Sequence, residues 1–122
     1  MTEETAASDR VRVNDVPRDI EPYFVGLLRK GEQWNDTQGD EAANLMAHQL
    51  AFLRQQIEAG RYLLAGPIMD DASLAGLIII SAKTIQEAKA IAAEDPGVKT
   101  GRLAIEVHPV FLPSLKGYKV RF

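Results

Sequence analysis

The chain has 122 residues, 46% hydrophobic and 25% charged, which is the composition of one globular domain with enough apolar side chain for a core. A formal net charge of −3 and a pI near 5.4, with both signs interspersed and no concentrated basic patch, exclude a nucleic-acid surface. No cysteine is present, which excludes disulfides and thiolate chemistry, and no apolar run approaches the roughly 18 residues needed to span a bilayer.

The N-terminus lacks the basic-then-apolar order of a leader peptide, so the expectation is a soluble, cytoplasmic protein without a membrane partner. Residues 1–20 are polar with no sustained apolar period and read as an arm, with Val11 and Val13 alternating around Arg12 as a short edge strand. The first secure strand is Tyr23 to Arg29, rich in β-favouring residues and apolar on both faces. A polar loop, Gly31 to Asp40, follows it and carries the only tryptophan, Trp34, which reads as cover for a core edge.

Met46, Leu50, Leu53 and Ile57 recur at steps of four, three and four, the stripe of an amphipathic helix over about 41 to 59. Asp40 is its expected N-cap, Gly60 its left-handed terminator, and the stripe is assigned to the core. His48 falls on the flank of that stripe by its spacing to Leu45 and Phe52, where a ring can face a pocket or simply pack at a boundary.

A strand, RYLLAG, follows Gly60, and the Gly66-Pro67 turn leads to Asp70 and Asp71. Two adjacent loop carboxylates invite a binding or acid-base role as well as a plain solvated turn, but no EF-hand loop or histidine-spaced motif completes a metal site. Leu74 to Ser81 is the most hydrophobic strand, with apolar residues on both faces. Thr84 and Glu87 have capping-box spacing before a second helix that Pro96 ends, and Asp95 is placed to cap a short helical piece through Thr100. In the last strand Leu103, Ile105 and Val107 share one face, and Glu106 and His108 share the other as an ion pair or a pocket wall. The segment after Pro109, apolar at Phe111, Leu112, Leu115, Tyr118 and Phe122, is expected to dock on its own domain or a partner.

Strand, helix, strand, strand, helix, strand is the α+β, ferredoxin-like βαββαβ order, with both helices on one face of an antiparallel sheet. The other face is apolar as well, and a second copy packed sheet to sheet would cover it. At about 25 cal/mol per Å², several hundred Å² there contributes on the order of 10 kcal/mol before association costs. The expectation is a homodimeric α/β barrel.

The run MAHQLAFLRQQIEAGRYLLAGP, the acidic loop after it, TIQEAKAIAAEDP with Asp95-Pro96, then Gly101 and AIEVHPV resemble the YciI-like (YCII-related) family over roughly residues 21–111, leaving 1–20 as an arm and 112–122 as a tail. The resemblance implies a dimeric ferredoxin-like αβ barrel with a histidine-aspartate site, in which His48 matches the histidine and Asp95 the aspartate, ahead of Asp70 or Asp71. From their own positions, Asp70, Asp71 and His108 are expected as further binding residues. A histidine beside a carboxylate suits proton transfer on a small cyclic acid, lactone or hydroxylated aromatic, hence a cofactor-independent lyase or isomerase. No phosphate loop or dinucleotide fingerprint points to a cofactor. The alternative is a non-catalytic dimeric module that binds a small ligand or a protein.

Overall fold

Four strands and three helices alternate in the expected order in a computed structural model that describes residues 20–35, 39–70 and 73–118. They are β1 (Ile20–Lys30), α1 (Asp40–Glu58), β2 (Tyr62–Pro67), β3 (Leu74–Ile80), α2 (Ile85–Ala93), α3 (Pro96–Lys99) and β4 (Leu103–Pro113). The strands form one sheet in the order β2-β3-β1-β4, every neighbouring pair antiparallel. This is the ferredoxin-like α+β arrangement.

Local signals explain the boundaries. The Thr84 hydroxyl accepts from the Glu87 N–H at 3.1 Å, so α2 begins where the capping spacing puts it. Gly60 has φ +76°, the left-handed conformation that ends α1. The start of α1 differs from expectation: Gly39 is the N-cap with no side-chain cap bond, and Asp40 is the first helical residue, its charge favourable at the positive end of the helix dipole.

The outer ends of the sheet also differ. β1 starts at Ile20 and β4 runs through Pro109 to Pro113, with Ile20 opposite Pro113 and Pro22 opposite Phe111. Both prolines are tolerated because β4 is an edge strand and β1 overhangs β3 before Phe24, leaving a free side where no ladder bond is lost. Beyond β4 the chain turns back on β1. The Leu115 N–H donates to the Tyr23 hydroxyl at 2.7 Å, and Lys116 Nζ meets Glu21 Oε1 at 2.8 Å. The strand expected around Val11 and Val13 lies outside the described residues.

Phe24, Ile78, Ile80 and Val107 point from the sheet into a core with Tyr62, Ala88 and Ala92, against which Phe52, Leu53 and Ile57 of α1 and Ile85 and Ile91 of α2 pack. Alternation therefore puts Val25, Leu27 and Leu77 on the face away from the helices. The stripe of α1 is core only in its second half. Met46 and Leu50 are 56% and 43% exposed, so its first half lies over an open space rather than on the sheet.

Close approach of the backbone fixes two glycines. A Cβ at Gly26 would come within 2.6 Å of Ile78 Cγ1, so a buried side chain must repack, whereas at Gly31 it would fall inside the contact shell of the Gly101 carbonyl oxygen, so backbone must move. Gly26→Ala is expected to cost about 1–3 kcal/mol and Gly31→Ala more, measured by denaturant unfolding. The reverse order would show that the Gly31 loop yields more easily than the core.

Candidate small-molecule cleft

The open half of the α1 stripe forms one wall of a cleft of about 510 Å³. Leu45, Met46, Gln49 and Leu50 line it from α1, Ala65, Gly76 and Ile78 from the sheet, and Pro96 and Gly97 from the start of α3. Trp34, from the loop after β1, and Arg102, just before β4, complete the lining, both half-buried. The walls are chiefly apolar with a few polar groups, the usual make-up of a small-ligand site.

The deepest polar group beside the cleft is Asp95, only 1% exposed. Its Oδ1 accepts the Gly97 N–H at 2.7 Å, capping α3, and its carboxyl is also hydrogen-bonded by the Val98 backbone and the Gln49 side chain. Burial raises its affinity for a proton above the ordinary carboxylate value, against the pull of those three bonds. The Asp95 charge reaches Tyr62, whose buried hydroxyl has no hydrogen-bond partner among the described residues; burial first and that charge second push its ionisation upward. Three elements thus converge on one carboxyl.

Among the described residues, no hydrogen bond, ion pair or charge effect joins His48 to Asp95. His48 is exposed, and the residue whose side chain reaches the carboxyl is its neighbour Gln49. The sequence held the signal. At about 100° per residue, Gln49 lies roughly 70° from the centre of the Met46, Leu50, Leu53, Ile57 stripe, and His48 roughly 170°. Leu45, which lines the cleft, and Phe52, which packs on the core, lie on the same side of the stripe as Gln49.

Neither Asp70 nor His108 is among the residues that line the cleft. Asp70 is exposed in the loop after β2, and Asp71 is outside the described residues. His108 is on the helix-free face of β4, its Nε2 2.6 Å from Glu106 Oε2, while Arg29 Nε meets Glu106 Oε1 at 3.2 Å. The expected Glu106–His108 ion pair is present. It and Arg29 hold the Glu106 carboxyl below the usual range. Trp34, read from the sequence as cover for a core edge, instead lines the cleft. Among the described residues no group of three or more His, Cys, Asp or Glu could hold a metal ion, and no helix is long and apolar enough to cross a membrane.

Residues 24–111 match the YCII-related domain. The chain belongs to the YCII-related family. No curated protein matches the sequence. Among solved structures, the fold is similar to 5-chloro-2-hydroxyhydroquinone dehydrochlorinase (TftG) from Burkholderia phenoliruptrix AC1100 in complex with 2,5-dihydroxybenzoquinone. That similarity has 19% identity and a TM-score of 0.50 and covers 70% of this chain and 90% of the other. In this YCII-related chain, therefore, a carboxamide meets the buried aspartate.

Asp95 makes stability depend on pH in a direction that can be checked. Its folded pKa is raised above an unfolded value of about 3.9, so its contribution is greatest below that pH and falls as pH rises through the folded value. Asp95→Asn keeps an oxygen for the Gly97 N–H and removes the titration. Thermal unfolding of both proteins from about pH 4 to 8 is expected to show the variant gaining on wild type as pH rises, then levelling. A difference constant with pH would mean that burial does not govern this carboxyl.

Proposed function

We propose that the cleft binds a small cyclic acid, lactone or hydroxylated aromatic, and that the chain acts on it as a cofactor-independent lyase or isomerase by proton transfer. The observation that carries this is the 510 Å³ apolar cleft with Gln49 in its wall and Asp95 hydrogen-bonded behind it. Gln49 is the polar group that orients the ligand. Asp95 is the proton-exchanging group, because burial brings its proton affinity closer to neutrality than that of an exposed aspartate. The dehydrochlorinase of similar fold, in complex with 2,5-dihydroxybenzoquinone, supports the choice of ring chemistry by analogy of fold.

One observation favours a second reading, non-catalytic binding: the side chain of α1 that meets Asp95 is an amide, which does not titrate near neutral pH. Two measurements separate the readings. Thermal stabilisation by a panel of cyclic acids, lactones, hydroxylated aromatics and 2,5-dihydroxybenzoquinone is expected for wild type and His48→Ala, and to be lost in Gln49→Ala. A compound that binds is then followed in D₂O by NMR. Deuterium uptake at a carbon, abolished in Asp95→Asn, is the expected result. Binding without uptake would leave the non-catalytic reading, and stabilisation lost in His48→Ala but kept in Gln49→Ala would overturn the site.

We further propose that two copies pack through the face bearing Val25, Leu27 and Leu77, where Leu77 is 41% exposed. Sedimentation at micromolar concentration is expected to give a dimer, and Leu27→Glu a folded monomer. A wild-type monomer would sink the barrel.

A further inference from the structure

We propose that Arg102 is the anion-binding residue of the cleft, so that its ligand is a planar ring bearing a carboxylate or a comparably compact oxyanion. This rests on the small-ligand reading above and narrows it to one charge class.

Among the described residues that line the cleft, Arg102 is the only charged side chain. Its guanidinium carbon lies 4.4 Å from the Trp34 ring centroid, and Nη1 donates to Asn35 Oδ1 at 2.8 Å. The ion pairs formed among the described residues are Arg29–Glu106, Lys99–Glu94, His108–Glu106 and Lys116–Glu21. None of them uses Arg102. A guanidinium has five N–H donors in a fixed plane, and only one is committed to the Asn35 amide. Lys30 adds a second cation, its Nζ 5.2 Å from the centroid of the same ring. The chain is acidic overall, yet two cations, one of them in the cleft lining, meet the Trp34 ring.

Two contacts position the guanidinium before any ligand arrives. The indole holds it at 4.4 Å and Asn35 holds Nη1, so an oxyanion meets donors whose place is already set. The apolar walls from α1 and the sheet would take the ring to which that anion is attached. An uncharged ring would satisfy the walls and leave the guanidinium with its remaining donors unused.

Arg102 could instead simply latch the Trp34 loop. That loop, however, is held by backbone bonds independent of the side chain: Gly31 N–H to the Arg102 carbonyl at 2.8 Å, Gln33 N–H to the Gly101 carbonyl at 3.0 Å, and Trp34 N–H to the Gly31 carbonyl at 3.0 Å. Neutralising the side chain therefore leaves the turn in place, and the two roles predict different binding.

The test is calorimetric titration of the full chain at pH 7.5 and low salt with 2,5-dihydroxybenzoate and with its neutral counterpart 2,5-dihydroxybenzamide. Wild type is expected to bind the acid about tenfold or more tightly than the amide, as befits a charge-assisted bidentate contact. Arg102→Gln should lose that preference while its affinity for the amide changes less than about twofold, and Arg102→Lys should keep a few-fold preference. Equal weakening of both compounds in Arg102→Gln would assign Arg102 to the latch. Wild type binding the amide without favouring the acid would overturn the anion assignment alone. Binding of neither compound would remove the ring-binding reading on which it rests.

Discussion

A carboxyl group removed from water is costly unless hydrogen-bond donors replace its hydration, and Asp95 obtains those donors from two separate parts of the chain. The Gly97 and Val98 backbone amides are local, supplied by the short helix that Asp95 itself caps. Gln49 is not. Its side chain comes from the middle of α1, so the position of that helix and the satisfaction of the buried carboxyl are one constraint. Tyr62, at the start of β2, packs into the same region with its ring edge-on to Phe52 at 5.9 Å. The cleft lies where Gln49 reaches the carboxyl while Met46 and Leu50, on either side of it in α1, remain exposed.

Much of this was legible in the amino-acid order, and the reasons are specific. Thr84 with Glu87 and the φ-demanding Gly60 are local signals, and local signals survive folding unchanged. The alternation of Leu103, Ile105 and Val107 against Glu106 and His108 was equally readable, because a strand has only two faces. The lengths of β1 and β4 were not. Pro22 and Pro109 read as strand breakers, and only the edge position of β4 and the overhang of β1 make them harmless. The apolar stripe of α1 was visible, but periodicity cannot say whether a stripe meets a core or a cavity. Spacing to Leu45 and Phe52 puts His48 at a boundary; only the packed helix shows that the side chain at Asp95 is that of its neighbour Gln49.

Charge is distributed so that the two faces of the sheet are chemically distinct. On the helix side, Arg102 lines the cleft and the Asp95 carboxyl is buried beside it. On the other side Arg29, Glu106 and His108 form a chain of ion pairs that remain in contact with water. Exposed pairs of that kind add little stability, but they fix the rotamers of three long side chains around the apolar strip of Val25 and Leu27. A surface so ordered is better suited to recognising another surface than a mobile one.

The sheet order also has a consequence for biosynthesis. β1 is an inner strand whose partners, β3 and β4, both come later in the chain, and its last pairing partners lie at the far end of β4. An emerging chain therefore carries β1, apolar on both faces and with both backbone edges open, until synthesis has passed Ile80 and β3 becomes available. Non-local closure of this kind is slow, and the nascent strand is a site where a chaperone would be needed and where two incomplete chains could pair wrongly.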